Sequence, residues 1–311
     1  MQSNLAFVFP GQGSQKIGML SELAEQNKII EQTFAEASEV LGYDLWALTQ
    51  TGTQEQINAT ERTQPLLLSA SIALWRLWIS QRGAKPSRLA GHSLGEWSAL
   101  VCAGVIEFAD AVKVVRARGA AMQEAVPANV GAMAAVIGLD DEAIRQVCIA
   151  SVGDGIVEAV NYNAPGQVVI AGTAEAVDRA VKACKLAGAK RALPLPVSAP
   201  FHTSLMRPAA DVIAPLVEGL SFSNPIVPIV HNVTACVEVD GEAIKELMLE
   251  QIYKPVPWVS CVLALKSAGI TDVVECGPGR VLSGLIKRIT SDLTCYTTDS
   301  VISMNDSLVS V

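Results

Sequence analysis

Short apolar runs of strand length recur along the chain, and several of them end in proline or glycine. Residues 5–9 run into Pro10-Gly11, and residues 272–275 run into Gly277-Pro278-Gly279. Such runs are typical of buried parallel strands that end in tight loops. The pattern also predicts strands at residues 88–91 and 225–230, and helices at residues 26–41, 64–82, 205–217, 243–251, 259–267 and 279–289. This alternation predicts a parallel sheet covered by helices.

The pattern changes in the middle of the chain, between residues 128 and 198. Stretches rich in β-formers lie at residues 131–139, 156–161, 167–172 and 191–197, with helical stretches at residues 141–149 and 174–187. The resulting order, β-α-β-β-α-β, is that of a ferredoxin-like unit. We therefore predict an α/β fold in which a parallel-sheet, hydrolase-like large domain (residues 1–127 and 199–311) carries an inserted ferredoxin-like small domain (residues 128–198).

The composition is that of a globular protein, with 50% hydrophobic and 17% charged residues in a chain of 311. A formal net charge of −8 disfavours nucleic acid as a partner, because Lys and Arg are not in excess to neutralise phosphates. Seven cysteines without a C-x-x-C pair argue against a disulfide framework or a zinc site. The sequence has neither a signal-peptide pattern nor an apolar run of membrane-spanning length, so we expect a cytoplasmic protein.

A candidate nucleophile lies between a predicted strand and a helix that begins at Glu96. The segment Gly91-His92-Ser93-Leu94-Gly95 matches the G-x-S-x-G elbow, in which a strained turn holds the serine hydroxyl clear of the sheet. The pattern is loose and a simple glycine-rich turn is the alternative, but the flanking strand and helix favour the elbow. A helix N-terminus would also supply backbone N–H groups to a tetrahedral oxyanion.

A serine nucleophile needs a base, and the chain has three histidines. His92 adjoins Ser93, where an elbow turns the two side chains in different directions, and His231 follows a predicted strand. His202 lies in a loop before a helix, a position from which an imidazole can enter a site. We favour His202 as the base over a purely structural role for it.

Arg118 lies on a predicted helix among apolar neighbours three and four residues away, Val114, Val115, Ala121 and Met122. We therefore expect its side chain to point inward. A buried guanidinium needs a partner, and the residues alone leave two open, an internal Asp or Glu and a substrate carboxylate.

A serine esterase or thioesterase is the main enzymatic alternative, with the same serine and histidine passing the acyl group to water. Hydrolases with this elbow order their triad as Ser, acid, His, with the histidine late in the chain. The last 80 residues here contain no histidine, which argues against a hydrolase. A non-catalytic acyl-carrier scaffold is a further alternative, but it would not need the elbow, the base and Arg118 together.

A series of motifs along nearly the whole chain points to one family. They are Phe9-Pro10-Gly11-Gln12-Gly13-Ser14-Gln15, Gly91-His92-Ser93-Leu94-Gly95-Glu96, Arg118-Gly119 with Met122-Gln123, Asn161-Tyr162-Asn163-Ala164-Pro165-Gly166-Gln167, His202, Asn232-Val233-Thr234, Gln251 and Glu275-Cys276-Gly277-Pro278-Gly279. In this order they resemble the malonyl-CoA:acyl carrier protein transacylases of bacterial fatty-acid synthesis, which are related to the acyltransferase domains of polyketide synthases.

The resemblance implies a covalent mechanism in which Ser93 is acylated and His202 is its base. The backbone carbonyl of Gln251 would orient the imidazole in place of an acid. The backbone N–H groups of Gln12 and Leu94 would form the oxyanion hole. The substrate contacts that the resemblance implies are Arg118 for the malonyl carboxylate, together with Gln12, His92, Asn163, Phe201 and Asn232.

Phe201 departs from the bacterial pattern, in which serine commonly precedes the base. Malonyl-selective polyketide acyltransferases resemble this chain in having phenylalanine there. We expect the ring to disfavour an α-methyl branch, so that malonyl is preferred over methylmalonyl by about 1–3 kcal/mol per misfit group.

The resemblance also implies the reaction partners, malonyl-CoA and an acidic acyl carrier protein that bears phosphopantetheine, and no metal or redox cofactor. Such a carrier would dock on a basic surface. The candidates are Lys190, Arg191, Arg280, Lys287 and Arg288, and the alternative is that these are ordinary solvated charges. The carrier could serve fatty-acid or polyketide synthesis, and we expect the former because the chain is free-standing.

Overall fold

The structure is a computed structural model that describes residues 2–127, 129–197 and 199–311. Within these residues the chain forms strands β1 (Gln2–Phe9), β2 (Pro86–Gly91), β3 (Gly131–Ile137), β4 (Val157–Ala164), β5 (Gln167–Thr173), β6 (Arg191–Pro194), β7 (Ile229–Val230), β8 (Val237–Glu238), β9 (Asp272–Glu275) and β10 (Thr294–Thr297).

The helices of the described residues lie between these strands and after the last of them. They are α1 (Ser21–Gln26), α2 (Ile29–Leu41), α3 (Leu45–Thr51), α4 (Gln54–Asn58), α5 (Thr60–Ser80), α6 (Leu94–Cys102), α7 (Phe108–Glu124), α8 (Asp141–Ser151), α9 (Ala174–Leu186), α10 (Arg207–Glu218), α11 (Gly241–Glu250), α12 (Trp258–Ser267), α13 (Val281–Ile289) and α14 (Val301–Ser310), with a 3₁₀ turn at Ser204–Met206. None of them is long and apolar enough to cross a membrane.

Six strands form the larger sheet, in the order β10-β9-β1-β2-β7-β8. Its pairings are parallel except that of β7 with β8. Side chains of β1 alternate between two buried clusters, with Leu5, Phe7 and Phe9 in one and Ala6 and Val8 in the other. The continuous apolar run at residues 5–9 of β1 thus reflects burial on both faces of the sheet, as expected of a central parallel strand.

The carboxyl ends of the central strands lie side by side. Phe9 pairs with Gly91, and Val8 pairs with Glu275. The loops that follow β1, β2 and β9 therefore leave the same edge of the sheet, together with the loop after Val230 at the end of β7. Ligands bind at this edge in open parallel sheets.

The smaller sheet is antiparallel, in the order β4-β5-β3-β6. Together with α8 and α9 it has the β-α-β-β-α-β arrangement that the sequence predicted. This confirms the predicted fold class, an α/β protein with a parallel sheet and a second, small antiparallel sheet. The domain boundaries at residues 128 and 198 stay a prediction, because both residues lie outside the described residues.

Strand β4 connects the two sheets through backbone hydrogen bonds. The Val256 N–H donates to the Val160 carbonyl at 2.7 Å, and the Tyr162 N–H donates to the Val256 carbonyl at 3.0 Å. Val256 follows α11 in the part of the chain that packs on the larger sheet. The small sheet is therefore attached at the segment that also carries Gln251.

Several elements differ from the sequence prediction. Strand β7 covers only residues 229–230 of the predicted 225–230, because Pro225 and Pro228 have no N–H to donate to a neighbouring strand. The predicted helix at 26–41 begins only at Ile29, as α2, since Asn27 takes an extended conformation, and α1, which lies before it, was not predicted. Strand β10 and α14 were not predicted; they are short, and the α14 signal is only the capping box formed by Ser300 and Ser303.

Helix α6 packs directly against the end of β1 at Gly95. A Cβ atom at Gly95 would lie 1.9 Å from the Phe9 carbonyl oxygen, which is a backbone atom in a central strand and cannot move aside. The close approach of the first turn of α6 to the sheet is therefore possible only because residue 95 has no side chain.

We predict that Gly95→Ala lowers the free energy of unfolding by about 3 kcal/mol, because the added methyl group overlaps the backbone of β1. Gly284→Ala is the matched control: Gly284 is also helical, and nothing lies within 4 Å of its Cβ position. This control should be neutral or should stabilise by up to about 1 kcal/mol. Urea denaturation of both variants measures the difference, and equal stability of the two would contradict the steric argument.

Candidate active site

Ser93 lies at the sharp turn between β2 and α6. Its φ of 51° is in the left-handed region, an uncommon conformation for a residue with a side chain. Asn232 supports the turn from both sides: its Oδ1 accepts from the Ser93 N–H at 2.8 Å, and its Nδ2 donates to the Gly91 carbonyl at 2.7 Å. The predicted elbow is therefore present, and the loop after β7 stabilises it.

His202 is the histidine that contacts the serine. Its Nε2 lies 2.7 Å from Ser93 Oγ, and its Nδ1 lies 2.9 Å from the backbone carbonyl oxygen of Gln251. Because a carbonyl oxygen only accepts, Nδ1 carries the proton and Nε2 presents a lone pair to the serine hydroxyl. Burial, followed by the positive charge of Arg118, lowers the pKa of His202 to about 3, so the imidazole is neutral at physiological pH.

Arg118 points inward and is fully buried beside the serine. Its guanidinium donates to Gln64 Oε1 at 2.9 Å, to Gln251 Oε1 at 2.9 Å and to Ser93 Oγ at 3.3 Å. Burial lowers the pKa of Arg118 to about 10, which leaves it protonated at neutral pH. Within the described residues no carboxylate forms an ion pair with it, so of the two partners that the sequence left open, the internal Asp or Glu is not found.

Three further residues of this network were not predicted as site residues. Gln64 accepts from Arg118, Glu96 accepts from Gln251 Nε2 at 2.7 Å, and His231 Nδ1 lies 2.7 Å from Glu96 Oε1. In the sequence Glu96 was recognised as the start of a helix and as the last residue of the elbow motif, without a role in the site. The signal that could have identified it is a carboxylate in the first turn of a helix whose following residues, apart from Ser98, are apolar.

The predicted oxyanion donors lie on two neighbouring segments. Leu94 is the first residue of α6, where a backbone N–H has no partner within the helix. Gln12 follows β1, and the adjacent Gly11 passes so close to the elbow that a Cβ there would lie 2.7 Å from the His92 carbonyl oxygen. Gln12 itself is exposed, and its neighbour Gly11 is buried against the elbow.

His92 contacts the small sheet. Its Nε2 lies 2.8 Å from Asn163 Oδ1 on β4, and its ring packs edge-on against Trp258 with centroids 5.5 Å apart. Burial lowers its pKa. His92 and Asn163 were both predicted to contact substrate, and the structure brings them together as partners of each other.

Phe201 adjoins His202 and is buried in the main apolar core, with 8% of its surface exposed.

The predicted docking residues are exposed. Arg288 donates to Gln167 Oε1 at 2.5 Å, and Gln167 and Arg191 both pair with Ile137 of β3, so Arg191 and Arg288 lie at one end of the small sheet. Arg280 begins α13, about 12 Å along the helix from Arg288, and lies 3.6 Å from Asp299. Lys190 and Lys287 each precede one of the two arginines at that end.

The chain is similar to known acyltransferases over nearly its whole length. A family model described as acyl transferase domain matches residues 6–287. The malonyl CoA-acyl carrier protein transacylase of Salmonella typhimurium is 57% identical over 292 residues, which are 94% of each of the two chains.

Solved structures give the same result. The acyl carrier protein S-malonyltransferase of Vibrio cholerae is 54% identical with a TM-score of 0.96, covering 98% of this chain and 99% of that one. A malonyl-transacylase in complex with a type II PKS acyl-carrier protein is 53% identical with a TM-score of 0.98, covering 99% of this chain and 100% of that one. On this similarity, the chain belongs to the acyl transferase domain family and, within it, to the malonyl CoA-acyl carrier protein transacylases.

Proposed function

We propose that this protein transfers the malonyl group of malonyl-CoA to the phosphopantetheine thiol of an acyl carrier protein, through an ester on Ser93, and so supplies malonyl carrier protein for fatty-acid synthesis. One observation carries the proposal. Ser93 Oγ lies 2.7 Å from the Nε2 of a neutral His202 and 3.3 Å from a buried guanidinium that has no carboxylate partner among the described residues. A nucleophile and a receptor for an anionic acyl group are thus adjacent.

The first half-reaction forms the acyl-enzyme. Ser93 Oγ attacks the thioester carbonyl carbon while its proton passes to His202 Nε2. The backbone N–H groups of Leu94 and Gln12 donate to the oxygen that becomes negative. The C–S bond then breaks, and the proton on His202 passes to the sulfur of the departing CoA.

The second half-reaction reverses these steps with a different thiol. The phosphopantetheine thiol of the carrier gives its proton to His202 Nε2 and attacks the ester carbonyl. The C–O bond to Ser93 breaks, and the proton returns to Ser93 Oγ. The carbonyl of Gln251 keeps the imidazole in the required tautomer throughout, since it accepts from Nδ1 at 2.9 Å.

Selectivity is assigned to two side chains. Arg118 pairs with the malonyl carboxylate through a fork that the resting site leaves without a charged partner. Phe201, next to the base, disfavours an α-methyl branch on the acyl group. Gln12, His92, Asn163 and Asn232 are assigned to the substrate-facing wall, with Asn232 acting through the elbow to which it is hydrogen-bonded.

The chemistry needs no cofactor in addition to the two substrates, because proton transfer and acyl transfer are complete with Ser93 and His202. We assign the reaction to the cytoplasm. A polyketide carrier is a second candidate acceptor, favoured by the 53% identity to the malonyl-transacylase that was solved with a type II PKS acyl-carrier protein. Hydrolysis by the same residues would require water in place of the carrier thiol.

Carrier docking is assigned to the exposed basic end of the small sheet, formed by Lys190, Arg191, Lys287 and Arg288. The support is their proximity through Gln167 and their common positive charge in a protein of net charge −8. An acidic partner is attracted to such a surface. Arg280 also belongs to this assignment, at its margin, because Asp299 lies 3.6 Å away and offsets its charge.

The acyl-enzyme is tested by intact-mass spectrometry after brief exposure to malonyl-CoA. The parent should gain one malonyl group and Ser93→Ala none. Arg118→Ala should be acylated roughly a hundredfold more slowly, because a charged hydrogen-bond partner of the acyl group is lost. Arg116→Ala, an exposed arginine on the same helix, is the matched control and should keep the parental rate. Release of malonate without a protein adduct would instead indicate a hydrolase.

The pH dependence of acylation tests the assignment of the base. His202 must be neutral to act, and its pKa is lowered to about 3, so kcat/KM for malonyl-CoA should stay flat from pH 8 down to about pH 5. A normal histidine base would lose activity near pH 6.5. Arg118→Ala removes one cause of the lowered pKa, so the acid limb of its residual activity should move to higher pH. If kcat/KM of the parent instead fell with a midpoint near pH 6.5, His202 would titrate as an ordinary histidine, and the assignment of a lowered pKa would be wrong.

Docking is tested by starting from malonyl-enzyme and comparing two acceptors, holo carrier protein and free pantetheine. Arg191→Glu and Arg288→Glu should slow transfer to the carrier about tenfold at low salt, and less at high salt, because they reverse charges that attract it. Transfer to uncharged pantetheine should be unaffected. Lys28→Glu, a charge reversal of the same size at an exposed residue directly before α2, is the control. Equal effects on both acceptors would place these arginines outside the docking surface.

A further inference from the structure

Glu96 is a buried carboxylate that touches neither Ser93 Oγ nor Arg118, yet it is connected to both through Gln251. It is 1% exposed and lies in the first turn of α6, three residues after Ser93. Its Oε2 accepts from Gln251 Nε2 at 2.7 Å, and both its oxygens lie 3.3 Å from the Asn232 N–H. His231 Nδ1 lies 2.7 Å from Oε1.

The amide of Gln251 lies between two groups of opposite hydrogen-bonding character. Arg118 can only donate, and the Glu96 carboxylate can only accept. Gln251 Oε1 accepts from Arg118 at 2.9 Å, while Nε2 donates to Glu96 and, at 2.9 Å, to the Ser93 carbonyl. A flipped amide would place its NH₂ group against the guanidinium and its oxygen against two acceptors. Glu96 therefore permits only one orientation of this side chain.

The backbone of the same residue orients the base. The Gln251 carbonyl accepts from His202 Nδ1, and its side-chain oxygen accepts from Arg118. Fixing Gln251 thus fixes two partners of Ser93 together. Because Glu96 and Ser93 belong to one helical turn, the carboxylate is held in a constant relation to the nucleophile.

The charge of Glu96 also bears on Arg118. The guanidinium is fully buried, and its hydrogen-bond acceptors, Gln64, Gln251 and Ser93, are neutral. Burial lowers the pKa of Arg118, and the negative charge of Glu96 raises it. A carboxylate one amide away can stabilise the cation without an ion pair that would compete with a substrate carboxylate.

We propose that Glu96 is a positioning residue that acts through the Gln251 amide to hold the Arg118 guanidinium correctly oriented, and that it thereby sets the preference for acyl groups bearing a free carboxylate. This inference rests on the proposed malonyl transfer. It differs from a purely structural role, in which Glu96 would only satisfy the Asn232 N–H and His231.

The test compares acylation of the protein by malonyl-CoA with acylation by acetyl-CoA, a probe that lacks the carboxylate. Glu96→Gln keeps the shape and removes the charge, and its new NH₂ group competes with Gln251 Nε2 as a donor. The malonyl-to-acetyl ratio of kcat/KM should fall about tenfold or more, with a higher KM for malonyl-CoA and a smaller effect on acetyl-CoA. Rapid-quench intact-mass spectrometry measures both rates.

Glu275→Gln is the matched control. Glu275 is equally buried and accepts from the Leu282 and Ser283 N–H groups at the start of α13, away from Gln251. Glu275→Gln should lower the melting temperature, because a buried carboxylate is lost. It should leave the malonyl-to-acetyl ratio of kcat/KM at the parental value. A fall in the ratio for both variants, or for neither, would overturn the proposal.

A double-mutant cycle with Gln251→Met tests the route of the effect. If Glu96 acts through the amide, its substitution should change the ratio little once Gln251 is methionine. Full additivity would overturn the proposal. If Glu96→Gln does not fold, Glu96→Asp replaces it in the cycle. This variant keeps the negative charge on a shorter side chain, so the malonyl-to-acetyl ratio should fall less than the tenfold expected for Glu96→Gln. Failure of the parent to be acylated at all would instead contradict the proposed function.

Discussion

The close approach of α6 to the end of β1 is the constraint on which the site depends. Gly95 lies against the Phe9 carbonyl, and a Cβ at Gly91 would lie 2.0 Å from the Gly95 carbonyl carbon. With a side chain at either position the turn would open and Ser93 would lose its strained conformation, with a φ of 51°. Since Ser93 directly precedes α6, and Leu94 and Glu96 lie in the first turn of that helix, one steric condition fixes the nucleophile, a predicted oxyanion donor and a buried charge together.

The imidazole of His202 is oriented by a backbone carbonyl and not by an acid. Gln251 contacts His202 through its carbonyl and Arg118 through its side chain. An acid that oriented the imidazole from this position would lie within reach of a buried guanidinium and would form an ion pair with it. That pair would occupy the fork needed for a substrate carboxylate. A neutral partner therefore suits a transferase that selects an anionic acyl group, whereas a hydrolase of neutral esters is free to use an acid.

Much of the fold and of the site could be predicted because the signals are local. The elbow lies in five consecutive residues, the burial of β1 on both faces is visible in its continuous apolar run at residues 5–9, and the inward orientation of Arg118 follows from helical spacing. The partners of Arg118 could not be predicted, because Gln64 and Gln251 lie on different elements that meet only in the folded chain. Glu96 was missed for a related reason: a carboxylate in the first turn of a helix is also favourable on the surface, so the apolar residues after it were only a weak signal of its burial.

The coupling between Arg118 and His202 extends selectivity from binding to chemistry. In the resting site the charge of Arg118 is, after burial, a cause of the low pKa of His202. A carboxylate paired with Arg118 offsets that charge, so the imidazole becomes a stronger base when a malonyl group is bound. An acyl group without a carboxylate leaves the base weak even when its thioester reaches Ser93. Under the proposed roles, the same guanidinium would therefore discriminate twice, once by binding the substrate carboxylate and once by weakening His202 as a base whenever no carboxylate offsets its charge.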